Sequence, residues 1–301
     1  MSKAEAKQNI NGILLVNKPK GLSSNGVLQR VKHLFHAKKA GHTGSLDPMA
    51  TGMLPICFGE ATKFCQYLLD ADKCYETTAL LGIKTNTADA TGEIIARVDE
   101  FTVSEEALQQ TIVAFCGKIK QIPSMFSALK HQGTPLYKYA RLGVEIERSA
   151  RDVSIHQLQV NRFDGQEIDL TVSCSKGTYI RNLVEDIGEQ LGTYAHVTRL
   201  HRRYTAGFSD EPMYTLEELD CKSAAQLFDC LLPMDLAVNY LPRLDLDHEA
   251  VQALRLGKII NQQALGGASG CYRLYGPELQ FVGLGDMSSD GVLKVRRLLN
   301  V

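Results

Sequence analysis

The feature that most constrains how this chain can fold is a glycine-rich loop at residues 41–52, which carries the carboxyl group of Asp47. Pro48 fixes its own φ angle and keeps the preceding residue out of the α-helical region. Gly44 and Gly52 permit the tight bends that such a loop needs. A loop of this kind aims a side chain at a neighbour. On these residues alone, however, a turn capped by the aspartate is the more economical interpretation, because aspartate before proline often caps a turn.

Short strands and helices follow one another along the chain without a strict strand–helix–strand order, which indicates an α+β fold. Apolar runs and alternating apolar residues predict strands at 13–16, 53–58, 73–81, 94–98, 153–163, 168–174 and 197–204. Apolar residues at helical spacing predict helices at about 24–35, 60–69, 105–115, 178–191, 216–232 and 249–256.

Composition divides the chain into a terminus, a large domain and a small one. Residues 1–10 are polar, and we expect them to be disordered. Residues 11–240 form the large domain, and residues 245–301 form a small β-rich module after Pro242. Within the large domain, residues 118–151 are basic and predict an inserted arm with one helix near 136–142.

Several classes of protein are disfavoured by the sequence. No apolar run approaches the ~18 residues of a membrane helix, and the N-terminus lacks the apolar segment of a signal peptide. We therefore expect a cytoplasmic protein without a membrane partner. The eight cysteines form no C-x-x-C pair, and none lies at zinc-ligand spacing from a histidine. Neither a phosphate-binding loop nor a dinucleotide fingerprint is present, so we expect no metal and no nucleotide cofactor.

The net charge of −1 says little about partners, but the charges are unevenly distributed. Residues 11–46 contain six basic residues and no acidic one, and residues 118–151 contain seven basic residues against Glu145 and Glu147. Such segregation predicts a basic face that binds a polyanion. Ordinary solvated helix faces explain the same pattern about equally well.

Asp47 has no carboxylate close to it in sequence, since the next one along the chain is Glu60. This argues against glycoside hydrolysis, which needs two carboxylates, and is compatible with a carboxylate nucleophile held by an arginine. Arg181 is a candidate for that arginine, because it follows a predicted strand end and Gly177 at the start of a helix. A surface ion pair of Arg181 with Glu185, one helical turn further on, remains the alternative.

Residues 41–48 (Gly-His-Thr-Gly-Ser-Leu-Asp-Pro) closely resemble the nucleophile motif of the pseudouridine synthases. The continuation over residues 50–63 is similar to the bacterial members that act on uridine 55 in the TΨC arm of tRNA. Further motifs of that family follow at residues 17–21, 73–76, 123–130, 137–141, 175–181 and 195–200. The resemblance covers roughly residues 11–240, and Ser45 stands where many relatives have alanine.

The resemblance implies a pseudouridine-synthase fold, with a mixed, largely antiparallel central sheet flanked by helices. It also implies that the small C-terminal module is a PUA-like, β-barrel-like domain that binds RNA. It implies isomerisation of uridine 55 to pseudouridine in the TΨC loop of tRNA, after the base is flipped out of its stack. The aspartate attacks either the uracil ring or the ribose, and both routes stay open. No cofactor is required.

The same resemblance assigns the site residues. The catalytic residues are Asp47, Tyr75 and Arg181. Contacts to the substrate uridine and its loop are assigned to His42, Tyr75, Tyr179, Leu200 and Lys18. Contacts of the arm with RNA are assigned to Lys130, Tyr137 and Arg141.

The expected partner is the T-arm stem-loop of tRNA, bound by a monomeric enzyme. A protein of another class, which binds or folds RNA on the same scaffold without catalysis, is the alternative. A synthase of the same family that acts on a different RNA is a third possibility.

Overall fold

The computed structural model describes residues 7–261 and 268–300. An eight-stranded sheet forms the centre of the large domain, in the order β1-β3-β12-β4-β11-β10-β7, with β2 paired to β3. The strands of the chain are β1 (Gly12–Lys18), β2 (Ala40–His42), β3 (Thr51–Phe58), β4 (Lys73–Leu81), β5 (Ile83–Thr85), β6 (Ile94–Arg97), β7 (Gly117–Gln121), β8 (Lys130–His131), β9 (Thr134–Pro135), β10 (Arg151–Phe163), β11 (Glu167–Cys174), β12 (Ala195–Thr205), β13 (Arg243–Asp245), β14 (Ile260–Asn261), β15 (Gly270–Tyr275), β16 (Phe281–Met287) and β17 (Val292–Leu298).

The helices flank the sheets and are capped largely by serine, threonine and aspartate. Ser23 and Ser104 accept hydrogen bonds from the first turns of α1 and α3, as their sequences predict. The α-helices are α1 (Ser24–Leu34), α2 (Cys65–Asp70), α3 (Glu105–Ala114), α4 (Leu136–Arg141), α5 (Ile180–Gln190), α6 (Leu216–Asp220), α7 (Ala224–Asp229) and α8 (His248–Arg255). Short 3₁₀ helices lie at Gly59–Phe64, Met234–Val238 and Pro277–Leu279.

The central sheet is mixed and largely antiparallel, which confirms the predicted fold. Strands β3 and β12 run parallel, while every other neighbouring pair in this sheet is antiparallel. Helices α1, α3 and α5 pack on one face and bury two apolar clusters there. No helix of the described ranges is long and apolar enough to cross a membrane.

Three sequence-based boundaries need correction. Residues 1–6 lie outside the described residues. Residues 7–10 are ordered, since Gln8 forms an isolated parallel β-bridge with Ala37 and Ile10 is only 3% exposed. The arm begins after residue 121, because β7 pairs with β10 as an edge strand of the central sheet. The predicted helix at 60–69 is a 3₁₀ helix followed by α2.

The C-terminal module is a five-stranded, curled half-barrel sheet in the order β13-β15-β16-β17-β14, as the resemblance to a PUA-like module implies. It shares a hydrophobic core with the large domain, in which Leu284 and Leu299 lie with Phe64. Lys63 adds a hydrogen bond of 2.8 Å to the carbonyl of Leu298. The module therefore packs against β3, the strand that follows the Asp47 loop.

Candidate active site

The Asp47 loop is held by hydrogen bonds from elements on either side. Ser24 of α1 accepts a hydrogen bond from the backbone N–H of Leu46 at 2.8 Å. Arg202 of β12 donates to the carbonyl of Gly44 at 2.9 Å, and Gly44 itself has a φ of +71° that favours glycine. The Asp47 side chain forms an ion pair rather than a cap on its own turn, so the more economical reading of the loop is wrong.

Arg181 is the partner of Asp47. It lies in the first turn of α5, after the turn at Gly177, and its Nε is 2.8 Å from Oδ2 of Asp47. The arginine side chain is 4% exposed, whereas the aspartate side chain is 40% exposed. Glu185, the alternative partner, instead lies 3.2 Å from Lys84. The distant motifs at residues 41–48 and 175–181 therefore meet as predicted.

The rest of the Arg181 guanidinium is bound by segments that the sequence did not connect with it. Nη1 donates to the carbonyl of Thr87 at 2.7 Å, and Nη2 donates to the carbonyl of Phe126 at 2.9 Å. Asp89 lies 3.6 Å away and is 5% exposed. Arg181 thus joins the Asp47 loop, the turn after β5 and the base of the arm. No sequence spacing indicates the Asp89 contact, because some ninety residues separate the two.

A cleft of about 320 Å³ opens above this ion pair. Asp47, Tyr75, Tyr179, Arg181 and Leu200 all line it, so the structure brings five of the predicted residues together. The backbone of Tyr179 is held on both sides by Gln121, whose side chain accepts from its N–H at 3.0 Å and donates to its carbonyl at 3.2 Å. The remaining walls come from Gly44, Ser45, Leu46, Leu69, Lys73, Ser127, Ala128, Ser175, Gly177, Thr178, Ile180 and Arg202.

Burial raises the pKa of Asp47 above its usual value, and the nearby Asp89 raises it further. Arg181 and, more weakly, Lys18 act in the opposite direction. Burial likewise raises the pKa of Tyr75, so its phenol is protonated at neutral pH. The site therefore presents a carboxylate paired with Arg181 beside a neutral hydroxyl group, an arrangement suited to nucleophilic attack and proton transfer.

The predicted attack by Asp47 requires an ionised carboxylate, so we expect activity at low RNA concentration to fall with decreasing pH through the raised pKa of Asp47. The fall should lie above the ~3.9 of an ordinary aspartate. A carboxyl group whose pKa is higher in the folded than in the unfolded state costs stability above the folded pKa. This cost shrinks as pH falls below the folded pKa and is gone below the unfolded pKa. Activity and the contribution of Asp47 to the free energy of unfolding should therefore change in opposite directions. Single-turnover rates and denaturant unfolding over the same pH series test this, and parallel changes would contradict it.

Two of the predicted substrate contacts are placed differently. Lys18 is 0% exposed, and its Nζ donates to the carbonyls of Pro19, Leu22 and Pro48. It fixes the underside of the Asp47 loop and is absent from the cleft lining, and its contact with the substrate stays a prediction. Burial lowers its pKa to about 8. The sequence placed Lys18 at the start of a basic segment and gave no sign that its ammonium group is enclosed.

His42 ends β2, just ahead of the loop, and is half-buried outside the cleft wall. Its buried Nδ1 has no hydrogen-bond partner among the described residues. Burial and the charge of Arg202 lower its pKa, so the ring is neutral at neutral pH. A flat, neutral imidazole near the start of the Asp47 loop has a shape and charge that suit its predicted contact with the substrate loop.

The arm residues lie apart from the cleft but on the segment that completes it. Lys130 belongs to the β8–β9 hairpin, while Tyr137 and Arg141 belong to α4, where the guanidinium lies 5.4 Å from the tyrosine ring centre. Ser127, a few residues earlier, lines the cleft. Arm and cleft are therefore parts of one continuous surface.

Arg202 is the main site residue that the sequence reasoning missed. It lines the cleft, is 1% exposed, and lies directly opposite Tyr75 in the register of β12 and β4. Alternation along β12 places it on the same face as Leu200, which was assigned to the pocket. That two-residue spacing was a usable signal.

Comparisons with known proteins agree with this geometry. Family profiles match as TruB family pseudouridylate synthase (N terminal domain) over residues 32–180, tRNA pseudouridylate synthase B C-terminal domain over 181–239, and Pseudouridine synthase II TruB, C-terminal, over 242–299. The tRNA pseudouridine synthase B of Legionella pneumophila (strain Philadelphia 1) is 58% identical over 300 residues, covering 100% of this chain and 99% of that protein. The tRNA pseudouridine synthase B of Tolumonas auensis is 47% identical over 305 residues, covering 98% of this chain and 94% of that protein.

Among solved structures, a chain from the crystal structure of a Cbf5-Nop10-Gar1 complex superposes with a TM-score of 0.73 at 26% identity, over 95% of this chain and 84% of that one. The fold and the single Asp–Arg site together define a pseudouridine synthase. More narrowly, the chain belongs to the TruB family of pseudouridylate synthases.

Proposed function

We propose that this protein isomerises uridine to pseudouridine in tRNA, at position 55 of the T loop. The contact of Asp47 with Arg181 at the floor of a cleft carries the proposal, because it supplies one ionised carboxylate where a flipped base would enter. Relatives named tRNA pseudouridine synthase B support tRNA as the substrate class. The choice of the T loop rests on the motif resemblance and on the basic arm beside the cleft.

In the proposed reaction the uridine leaves its stack, at a cost of a few kcal/mol. His42 occupies the vacated space, and the uracil lies between Tyr75 and Leu200. Stacking on an aromatic ring of this kind is worth ~1–3 kcal/mol per base. Asp47 attacks and forms a bond to carbon, the bond between uracil N1 and the ribose breaks, and the uracil turns so that its C5 joins the sugar. The bond to Asp47 breaks as the product forms, which restores the carboxylate. The C5 proton leaves, and the hydroxyl group of Tyr75 is placed to relay it.

The proposal is tested by incubating the protein with an unmodified T-arm stem-loop, without metal or nucleotide, and measuring pseudouridine by nucleoside analysis. We expect product at the one uridine that corresponds to position 55, and no product with a stem-loop in which that uridine is cytidine. RNA binding without product would favour the non-catalytic RNA-folding alternative. Mapping of pseudouridine in cellular RNA after gene deletion then separates tRNA from other RNA substrates.

We also propose that the protein acts as a monomer in the cytoplasm.

Neutralising a basic residue of the arm should weaken RNA binding and reduce its salt dependence. Lys130 and Arg141 are exposed on the arm, and each is expected to displace counterions from a phosphate. For Lys130→Gln or Arg141→Gln, the slope of log K against log salt should fall by about 1. Binding of the stem-loop titrated at several salt concentrations measures the slope. Arg97→Gln, at an exposed position of β6 outside the predicted RNA-binding segments, serves as the matched control for a lost charge, and an arm variant with an unchanged slope would refute the assignment.

A further inference from the structure

Arg202 is a second buried arginine at the cleft, and it takes no part in the ion pair between Asp47 and Arg181. Its Nε donates to the carbonyl of Met53 at 2.7 Å, and its Nη2 donates to the carbonyl of Gly44. Its guanidinium also interacts with the Tyr75 hydroxyl group. These bonds fix the orientation of the guanidinium in the wall of the cleft.

The charge of Arg202 is not neutralised by an ion pair with any carboxylate of the described residues. Its neighbours Arg199 and Arg203 both pair with Glu76 on the opposite face of the sheet, at 3.3 and 3.5 Å. Buried charges in proteins are normally paired. A buried guanidinium that meets only carbonyl oxygens and a phenol therefore indicates an anion that arrives with, or forms on, the substrate.

A second buried cation lies beside it. Lys73 is 6% exposed, lines the cleft, and its side chain lies near Gly44. Its Nζ donates to the carbonyls of Leu68, Leu69 and Ala71, at 3.2, 2.7 and 2.5 Å. Burial, followed by repulsion from Arg202, lowers the pKa of Lys73 to about 8. The wall of the cleft thus holds two cations that repel each other, and an anion close to both would relieve this repulsion.

The reaction itself creates such an anion. Asp47 loses its negative charge as it forms a bond to carbon. If it attacks ribose C1′, the electron pair of the N1–C1′ bond passes to the uracil, which leaves as an anion. If it attacks uracil C6, the pair of the C5–C6 double bond moves through C4 to O4 as an enolate. Either route transfers one negative charge from the carboxylate, which Arg181 binds, to the uracil.

We propose that Arg202, assisted by Lys73, stabilises the negative charge that develops on the uracil. This rests on the proposed function and extends it by giving each arginine a separate role. Arg181 binds the carboxylate that loses negative charge, and Arg202 faces the uracil that gains it. Arg181 holds the charge in the reactant state, and Arg202 holds it once the carboxylate has reacted. Fixed cations that face a developing charge lower the barrier because they need no reorganisation during the reaction.

The test compares two T-arm stem-loops, one with uridine and one with 5-fluorouridine at the target position. Fluorine at C5 withdraws electrons and stabilises the uracil anion, so the 5-fluoro substrate depends less on the cation. We expect Arg202→Gln to slow single-turnover consumption of the uridine substrate by about 100-fold, the size seen for loss of one oxyanion-binding donor. The slowing on the 5-fluorouridine substrate should be clearly smaller, so the ratio of the two rates rises above that of wild type. Consumption is measured as loss of the target nucleoside, which counts covalent adducts as consumed.

Arg202→Lys keeps the positive charge while it disturbs the bonds to Gly44 and Met53. It should therefore keep the wild-type ratio of rates even where both rates fall. Arg203→Gln, on the opposite face, is the matched control and should keep the ratio and both rates. If Arg202→Gln does not fold by circular dichroism, Lys73→Gln takes its place in the same comparison.

A folded Arg202→Gln variant whose rates on the uridine and 5-fluorouridine substrates fall by the same factor would overturn the proposal. Arg202 would then only hold the Asp47 loop in place. An Arg202→Lys variant with the same raised ratio as Arg202→Gln would overturn it as well. A wild-type protein that forms no pseudouridine would instead remove the proposed function, so the two failures can be told apart.

Discussion

Asp47→Asn is expected to abolish pseudouridine formation, with a loss of single-turnover rate of about 10⁴-fold or more, as for other covalent nucleophiles. Asparagine keeps the shape of the side chain and its contact with Arg181, but its amide oxygen does not form the covalent intermediate. Because binding of RNA rests on the arm and on loop shape, the affinity for the T-arm stem-loop should stay within a few-fold of wild type.

The same substitution should leave the fold intact and its stability undiminished. The raised pKa of Asp47 means that its charged form is disfavoured by burial more than Arg181 compensates. A neutral side chain removes that cost at pH 7. Denaturant unfolding of the variant should therefore give a midpoint equal to or above that of wild type. Asp99→Asn, at an exposed ion pair with Arg97, is the control for loss of a surface charge. Residual activity above a hundredth of wild type would contradict the assignment of the nucleophile.

The sequence was sufficient for the fold class and for the main contact of the site. Local patterns gave nearly all strands of the central sheet, because half-buried strands alternate visibly and their ends carry turn residues. The pairing of Asp47 with Arg181 came from recognising ordered motifs, since no local rule joins residues so far apart. Leu200 and the two tyrosines were placed correctly for the same reason.

The errors have a common physical origin in burial, which a sequence does not state. Lys18 was read as a surface cation, yet three backbone carbonyls enclose its ammonium group. Arg202 lies in the predicted strand at 197–204 and was assigned no role at the site, yet it is buried in the cleft wall. Asp89 was assigned no role either, yet it is buried beside Arg181. A buried charge is recognisable only when its partners are known, and those partners come from other segments of the chain.

Arg181→Met is expected to lower both activity and stability, and the stability loss should depend on pH. Methionine fills much of the arginine volume but leaves Asp47 and Asp89 without the guanidinium that lies between them. Removal of one partner from a buried pair costs ~3–5 kcal/mol. Because Asp47 is 40% exposed and open to water in the cleft, we expect a value near the lower end, carried mainly by the buried Asp89.

The pH dependence separates this electrostatic cost from lost packing. Without Arg181, Asp47 loses the opposite charge that offsets its burial, so the pKa of Asp47 in the folded state should rise further above its unfolded value. The cost of the charged carboxylate is then largest above the folded pKa, shrinks as pH falls below it, and is gone below the unfolded value of about 3.9. The difference in unfolding free energy between Arg181→Met and wild type should therefore shrink as pH falls towards about 4. Activity should fall by at least about 10²-fold at every pH, since the nucleophile has lost its orienting partner. Asp89→Asn combined with Arg181→Met should recover part of the stability but none of the activity. A stability difference that stays constant with pH would show that Arg181 holds the three segments together through packing and hydrogen bonds, rather than through its charge.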